Sequence, residues 1–319
     1  MLRLKSYLVV VLFLLAPLSV SAAALVIDHN FTKLYNYSQA QYQLAKDTLH
    51  IAYGHTSHGS QVTTGMSSMV GFINGGGLGM SMPTNFFSYN NGGTGGALDL
   101  HDNFESGDLG GAWASSTRSY LNDPSHSDTN VVMWSWCGQV SDASADYIVD
   151  YLTTMNQLET DYPDVTFVYM TGHVDGTAID SNLHLRNQQI RDFVLANGKV
   201  LFDFADIESW DPDGIYYGDK LLTDTLWYDS DGNGSRDKNW AQDWRAAHSK
   251  GVDWFDASAA HSDPLNANVK AYAAWALFAE IAAANSSPVP IPGAVWLFGS
   301  GLIGMFGIRR KYKGPFSDI

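Results

Sequence analysis

The sequence predicts an α/β domain in which a mainly parallel sheet is covered by helices on both faces. Short apolar segments alternate along the chain with segments of helical periodicity, which favours a parallel sheet. These apolar segments are hydrophobic on successive residues, as in strands that are buried on both faces. About 260 residues lie between two apolar ends of the chain, which is enough for one large domain.

The first predicted helix covers residues 38–48, where Ser38 is a suitable N-cap and Tyr42 and Ala45 share one face. A strand at 49–53 follows. Residues 72–111 are rich in glycine and contain no Lys or Arg. We predict that they form a loop with strand fragments over one side of a site, because plain connections are rarely so long.

The later elements follow the same alternation. Strands are predicted at 130–136, 165–170 and 199–204, and helices at 143–162, 183–196 and 267–284. The last helix is rich in Ala, the best helix former. Ligands of parallel sheets bind beyond the carboxyl ends of the strands, so the residues after each strand are the candidates for chemistry.

Both ends of the chain predict export. Residues 1–5 are basic, 7–18 are apolar and 20–24 are small, which is typical of a signal peptide, assigned to 1–23. Near the other end, 287–293 is rich in Pro, 291–308 is an uncharged apolar run of 18 residues, and Arg309, Arg310 and Lys311 follow. Eighteen residues are at the lower limit for a helix that spans a bilayer.

The segment VPIPGAVWLFGSGLIGMFGIRRK, within 288–311, resembles the PEP-CTERM/VPLPA-CTERM sorting signals that exosortase-type transpeptidases of Gram-negative bacteria recognise. The resemblance implies a sorting signal at 287–313, with a hydrophobic helix that crosses the inner membrane transiently. It implies signal peptidase and exosortase as partners, removal of the tail, and delivery to the envelope or the extracellular matrix. A simple tail anchor is the alternative.

Composition restricts the partners. A net charge of −15 argues against nucleic acid and anionic lipid. Cys137 is the only cysteine, so no internal disulfide forms. Aromatic residues make up 13% of the chain and include ten Trp, which in an acidic exported protein favours a polysaccharide ligand.

Polar residues follow each predicted strand and precede the last helix. They are Gly54-His55-Thr56-Ser57-His58-Gly59-Ser60, Trp136-Cys137-Gly138-Gln139, Thr171-Gly172-His173-Val174-Asp175, and Asp256-Ala257-Ser258-Ala259-Ala260-His261. Over residues 45–284 this layout resembles the SGNH/GDSL hydrolases, which implies a three-layer flavodoxin-like fold in the domain 24–286. By that resemblance Ser57 is the nucleophile, His261 the base, and the amide of Gly59 or Ser57 with Gln139 the oxyanion hole.

The chain departs from the family pattern at each of these blocks. The first block has no Asp and one extra residue, and Gln139 stands in for the family's Asn. Asp256 is two residues too far from His261, so Asp253 and Asp263 are alternative partners of the imidazole. A serine hydroxyl needs an imidazole to take its proton, and oxyanion donors contribute about 3 kcal/mol each. The alternative to a catalytic role is that Ser57 and His261 cap helices. Ser60 is a second candidate nucleophile.

The histidines allow a different mechanism. His55 and His58 could orient Ser57, or they could bind Zn²⁺ together with His101, His173, Asp175 and His261. No HExxH motif supports the metal centre. A third possible mechanism is that of a glycosidase, which would use the carboxylates of Asp206 and Glu208 with Asp99 or Asp175.

A separate acidic segment matches the front of a calcium loop. Asp229, Asp231, Asn233 and Asp237 occupy positions 1, 3, 5 and 9, with Gly234 at position 6. Position 12 is Trp240 instead of an acidic residue, so an acidic turn is the alternative. Any Ca²⁺ here would be structural; the serine mechanism needs no cofactor.

The leading prediction is an exported serine hydrolase, of the esterase or deacetylase kind, that acts on an ester of an envelope or extracellular polysaccharide. The first alternative is a non-catalytic matrix or carbohydrate-binding protein on a degenerate hydrolase fold. The second is a metal-dependent hydrolase that uses the histidines.

Overall fold

The computed structural model describes residues 23–286. Apart from residue 23, the predicted signal peptide 1–23 and sorting signal 287–313 lie outside this range. Within it, no helix has the length and apolar character needed to cross a membrane.

The described residues form a parallel sheet of seven strands. The strands are β1 (Leu25–Ile27), β2 (His50–His55), β3 (Tyr89–Asn90), β4 (Leu98–Ser106), β5 (Val131–Trp134), β6 (Thr166–Met170) and β7 (Val200–Phe202). Their order across the sheet is β3-β4-β2-β5-β6-β7-β1, and every neighbouring pair is parallel. A small antiparallel hairpin, β8 (Trp227–Tyr228) and β9 (Lys238–Asn239), lies apart from the sheet.

Helices cover both faces, which confirms the predicted α/β class. They are α1 (Gln39–Thr48), α2 (Ser60–Asn74), α3 (Trp113–Leu121), α4 (Gln139–Asp142), α5 (Ala145–Asp161), α6 (Asn182–Asn197), α7 (Phe204–Glu208), α8 (Trp240–Ala247) and α9 (Pro264–Ser286). The helices α1, α2 and α9 pack together in one layer, and α3, α5 and α6 form the other. This arrangement is consistent with a flavodoxin-like fold.

Local sequence accounts for most element boundaries. The hydroxyl of Ser38 accepts the amide N–H of Gln41, whose side chain accepts the Ser38 N–H, so α1 starts with a capping box. Every residue of β5 is buried, as expected for a central strand. The helix α9 is buried along most of its length because it packs against both α1 and α2.

The glycine-rich segment 72–111, predicted as a loop with strand fragments, contains longer regular structure than that prediction gave. It contains β3 and the nine-residue β4, which pairs with the central strand β2. In the first half of β4 buried residues alternate with half-buried or exposed ones, because successive side chains point to opposite faces of the sheet and only one face is covered here. In a sequence, the polar residues of such a strand resemble those of a loop, so the strand is difficult to predict.

The strand order creates a crevice between β2 and β5. After β2 the chain continues to β3 and β4 on one side, and after β5 it continues to β6 on the other. Ligands of open α/β sheets bind at such a reversal, at the carboxyl ends of the strands. The polar segments after β2 and β5 both lie at this edge.

Candidate active site

Ser57 and His261 meet at the carboxyl edge of the sheet. Ser57 lies in the turn between β2 and α2, and His261 lies in the turn before α9. The His261 Nε2 atom is 3.1 Å from the Ser57 Oγ atom, although 204 residues separate them in sequence. An imidazole at this distance can accept the hydroxyl proton.

His261 is held in a strained backbone conformation. Its φ is +56°, in the left-handed region, which costs a residue with a Cβ about 1–2 kcal/mol. Hydrogen bonds fix the chain on both sides: Gln61 Nε2 donates to the Ala260 carbonyl at 2.6 Å, and Ser262 Oγ donates to the Asp224 carbonyl at 2.8 Å. The turn therefore presents the exposed imidazole at one defined place.

A second chain of polar groups runs beside this pair. His58 Nδ1 lies 3.3 Å from the Cys137 thiol, and His58 Nε2 lies 3.3 Å from Asp224 Oδ2. The Cys137 sulfur is 3.9 Å from Ser57 Oγ. Cys137, His58 and Asp224 thus have the nucleophile, imidazole and acid order found in hydrolases.

Three imidazole rings stack at the site. The His58 ring is 3.8 Å from that of His173 at an angle of 5°, and 4.8 Å from that of His261 at 21°. His173 Nδ1 lies 2.7 Å from the Val174 carbonyl, which accepts a hydrogen bond from Nδ1–H, so the lone pair of the neutral ring is on Nε2.

Burial and pairing set the charges around His58. Burial lowers the pKa of His58 below its ordinary value, and the hydrogen bond with Asp224 only partly offsets this. Burial alone would raise the pKa of Asp224, but the hydrogen bond from His58 and the charge of His173 outweigh it, so the pKa is lowered. At neutral pH the site therefore favours an ionised Asp224 beside a neutral His58.

A fully buried ion pair lies beneath the site. Lys270 Nζ contacts Glu208 Oε1 at 2.5 Å and also donates to Gln61 Oε1. Glu208 Oε2 accepts the backbone N–H of Val174 at 2.9 Å. Since Gln61 also holds Ala260, this network ties the loops of His173 and His261 to α2.

Gln139 and Gly59 occupy supporting positions. The side-chain carbonyl of Gln139 accepts the Cys137 N–H at 2.9 Å, and its amide donates to Asp108 at 2.9 Å. Gln139 therefore folds the loop after β5 instead of leaving its amide for an oxyanion. A Cβ on Gly59 would lie 2.1 Å from Ser135 Oγ, so glycine allows the turn of Ser57 to approach β5.

The carboxylates predicted to orient His261 lie elsewhere. Asp256 pairs with Lys250, Asp263 pairs with Arg245 at 2.5 Å, and Asp253 accepts the Ser249 N–H at 2.8 Å. Asp256 is thus not the partner of His261, because the loop turns its carboxylate towards Lys250. Among the described residues, the hydrogen bond of the His261 side chain is the one with Ser57.

Several other residues that the sequence singled out make no hydrogen bond with the Ser57 hydroxyl. His55 bonds Asp102 through Nε2 at 2.8 Å and the Thr56 carbonyl through Nδ1, so it does not orient Ser57. Ser60 donates to the Ser57 carbonyl at 2.7 Å. His101 contacts the Tyr120 hydroxyl, and Asp175 accepts from Thr177.

The glycosidase set is not assembled. Glu208 has no exposed surface and is bonded to Lys270, so a sugar cannot reach it. Asp206 pairs with His29 at 2.7 Å, two strands away from the Ser57 crevice. Asp99 pairs with His50, which begins β2 at the opposite edge of the sheet.

In the predicted calcium loop, the carboxylates accept hydrogen bonds from backbone N–H groups of the loop itself. Asp229 accepts N–H groups from four residues, the shortest being Gly234 at 2.7 Å. Asp237 accepts from Ser230, Asp231 from Asn233, and Asn233 from Ser235. These bonds hold the loop whether or not an ion binds, and calcium stays a prediction.

Sequence reasoning did not find Asp224, and it gave Cys137 and Lys270 no role at the site. Asp224 lies in an irregular turn where no periodicity or motif marks it. Lys270 did leave a signal, because it is the only charged residue between positions 264 and 279 of an apolar helix. A charge in such a place is buried only with a partner.

A comparison of the chain with protein-family models gave no match. A comparison with curated proteins also gave none.

Proposed function

We propose that this protein is an SGNH-like serine hydrolase that cleaves esters. The observation that carries the proposal is the 3.1 Å contact between His261 Nε2 and Ser57 Oγ. It lies at the crevice where the strand order reverses, which is where α/β enzymes bind ligands.

In this mechanism the Ser57 hydroxyl attacks the acyl carbon while His261 Nε2 takes its proton. The amide N–H groups of Ser57, His58 and Gly59 have no hydrogen-bond acceptor among the described residues. They lie at the amino end of α2, where backbone amides and the helix dipole favour negative charge. His261 then protonates the leaving alcohol, and water releases the acyl group by the same steps in reverse.

Hydrogen bonds to the turn orient His261 in place of a carboxylate partner. Gln61 and Ser262 fix the turn on each side of His261, so the imidazole is oriented without an acid on Nδ1 among the described residues. Without that acid the imidazolium is less stabilised, so we expect a slower enzyme than a complete triad gives.

The substrate we propose is an ester, such as an acetyl group, on an envelope or extracellular polysaccharide. The acidic and aromatic composition and the terminal signals support this substrate class. The same signals support export, with signal peptidase and exosortase acting on the chain and the mature protein in the envelope or outside the cell.

Covalent labelling with a fluorophosphonate tests the nucleophile. We expect stoichiometric labelling of Ser57, lost in Ser57→Ala and reduced roughly 1,000-fold or more in rate in His261→Ala. Ser60→Ala is the matched control and should label normally. Esterase activity is measured on the same samples.

The outcomes separate the competing functions. Turnover that survives Ser57→Ala but is lost in Cys137→Ala would assign the nucleophile to the thiol that His58 and Asp224 hold. A folded protein that neither labels nor hydrolyses any ester would favour the non-catalytic, carbohydrate-binding alternative.

A further inference from the structure

We infer that the cavity between α6 and the β1–β7 edge of the sheet binds a neutral sugar unit of a polysaccharide. Its volume is about 580 Å³, which is within the range of ligand-binding cavities. The walls come from β1, β7 and α6 and from the segments that follow β1, β6 and β7. The further step, that this sugar belongs to the polysaccharide whose ester Ser57 cleaves, rests on the proposed function.

A pair of charged side chains on the polar side of the cavity leaves a donor free. Arg191 donates to Asp203 through Nε at 2.6 Å and through Nη2 at 2.8 Å. Asp203 is only 3% exposed, so this pair holds the guanidinium in one orientation. Arg191 Nη1 has no acceptor among the described residues and is not shielded from solvent. Its N–H groups are therefore available to a ligand in the cavity.

Two other residues that line the cavity keep a free acceptor. Asp28 Oδ1 accepts both the backbone N–H and the side-chain amide of Asn30, while Oδ2 has no donor among the described residues. Gln188 Nε2 donates to Asp192 at 2.7 Å, and in the same part of the chain no donor reaches Gln188 Oε1. A hydroxyl group both donates and accepts, so a ligand with several hydroxyls can satisfy all of these groups.

The charges of the cavity favour a neutral ligand. The carboxylates of Asp28, Asp203 and Asp206 line it together with the guanidinium of Arg191. His184 adds no positive charge at neutral pH, because burial lowers its pKa below the ordinary value. The excess of carboxylates repels an anionic group, and the uncovered guanidinium nitrogen repels a cation. A sugar without charged groups avoids both costs.

The remaining wall of the cavity is apolar and aromatic. Ile179 and Leu195 line it and are 52% and 60% exposed. The half-buried ring of Tyr216 lies 5.0 Å from that of Trp210, which stacks on His29 at 4.0 Å. Exposed apolar groups that gather at a cavity indicate a contact surface. A sugar ring has a face of C–H groups and an edge of hydroxyls, so it can contact this wall while it hydrogen-bonds the polar side.

The cavity and the Ser57 crevice share one edge of the sheet. Asp28 and Asp203 follow the carboxyl ends of β1 and β7, as Ser57 follows that of β2. In the order β2-β5-β6-β7-β1, three strand spacings, or about 14 Å, separate the two places. The loop after β6 lies between them, with His173 at the crevice and Val174 at the cavity. One sugar unit cannot occupy both places, whereas an oligosaccharide that lies along the edge can.

Direct binding tests the cavity without any need for catalysis. The purified full chain with Ser57→Ala is titrated calorimetrically with the neutral hexasaccharides of cellulose, xylan, mannan and chitin, and with the hexamer of galacturonic acid. We expect 1:1 binding of at least one neutral hexasaccharide and no binding of the galacturonate.

Two substitutions locate the binding in the cavity. Gln188→Ala should weaken it by about 3–10-fold through the lost acceptor, and Tyr216→Ala by about 10-fold through the lost ring. Gln157→Ala is the matched control and should bind as the parent does. Gln157 donates to Asp161 four residues on, as Gln188 does to Asp192, and both glutamines are exposed, but Gln157 lies on α5 outside the cavity. Gln188→Ala changes an exposed side chain, so it remains informative if Tyr216→Ala does not fold.

Kinetics connect the cavity to the proposed hydrolase. With Ser57 present and the acetylated form of the bound hexasaccharide as substrate, Gln188→Ala and Tyr216→Ala should raise KM by similar factors. Both should leave kcat/KM for p-nitrophenyl acetate unchanged, because that ester is too small to reach the cavity. Binding without ester hydrolysis would support the cavity and refute the hydrolase, and hydrolysis without binding would do the reverse.

The inference is overturned if no neutral hexasaccharide of the panel binds, or if the galacturonate binds as tightly as the best neutral one. It is also overturned if Gln188→Ala and Tyr216→Ala both bind like Gln157→Ala.

Discussion

Gly59 determines how closely the turn of Ser57 approaches the central strand β5. A Cβ at this position would lie 2.1 Å from Ser135 Oγ and 2.5 Å from His55 Cβ. Both neighbours belong to buried parts of the sheet, so neither can move freely. The turn itself must shift if a side chain is added.

We therefore expect Gly59→Ala to lower the free energy of unfolding by about 1–3 kcal/mol and to slow the labelling of Ser57. Gly71→Ala, in the same helix α2, is the control, because an added Cβ there has open space. That change should stabilise the protein by up to about 1 kcal/mol. Urea denaturation of both variants measures the difference, and equal effects would contradict the packing argument.

Lys270 and Glu208 depend on each other because both are fully buried. We expect Lys270→Met to destabilise the protein by about 3–5 kcal/mol, since it leaves the Glu208 carboxylate without a counter-charge. The double variant Lys270→Met/Glu208→Gln should recover part of this loss. A double variant as unstable as the sum of both single changes would show that the two residues do not act as a pair.

The same lysine gives a pH dependence. Burial lowers the pKa of Lys270 from 10.5 to about 8, so between these values the unfolded chain binds more protons than the folded one. The cost of the buried charge is present below about pH 8 and is relieved as the pH rises towards 10.5, by up to about 3 kcal/mol. The stability of the wild type relative to Lys270→Met should therefore increase across this range in denaturant titrations. A flat difference would contradict the lowered pKa.

Among the elements, the β8–β9 hairpin is held by the side chain of Asp229. The four backbone N–H groups that Asp229 accepts hold the connection between the two strands, and they lower the pKa of its carboxyl below 3.8. The stabilisation is complete above this ordinary value and is lost as the pH falls through the lowered pKa.

We expect Asp229→Ala to lower Tm at pH 7, with a smaller effect at strongly acidic pH. Thermal scans with chelator and with Ca²⁺ also test the calcium prediction. A Ca²⁺-dependent rise in Tm that disappears in Asp231→Ala would show that the loop binds the ion, because Asp231 makes few other contacts. The same Tm in Asp229→Ala and the wild type would show that the hairpin does not need the carboxylate.

In the molecule as a whole, the strand order brings distant parts of the chain to one edge of the sheet. The turn after β2, the loops after β5 and β6, and the turn before α9 converge at the crevice between β2 and β5. The tight packing of α9 on α2 fixes the last of these, since Gly65 lets the Ala267 carbonyl approach closely. Ser57 and His261 meet because α2 and α9 are neighbours in one layer.

The predicted signals at the two ends give a prediction for the full chain. With a C-terminal tag, the protein should lose the tag in a Gram-negative host that has an exosortase and keep it in a host that lacks one. Immunoblots of cell and medium fractions measure this. Retention of the tag in both hosts would favour the simple tail anchor.

The sequence by itself determined the α/β class, the positions of α1, α5, α6 and α9, and the strands β2, β5, β6 and β7. These features follow from local periodicity and from helix caps such as Ser38, which neighbouring residues encode. The pairing of Ser57 with His261 was predicted from the resemblance of the polar segments to those of SGNH/GDSL hydrolases. The sequence predicts only a strand fragment where β4 lies, because glycine and alternating polar residues are typical of loops.

Only the tertiary structure decided which charged groups accompany that pair. Asp224 instead of Asp256 reaches the histidines, and Lys270 and Glu208 form the support beneath them. The path of an irregular loop depends on the surface it packs against, so no spacing along the chain specifies these contacts. Burial then fixes the pairings, because a charge removed from water must find its partner within the fold.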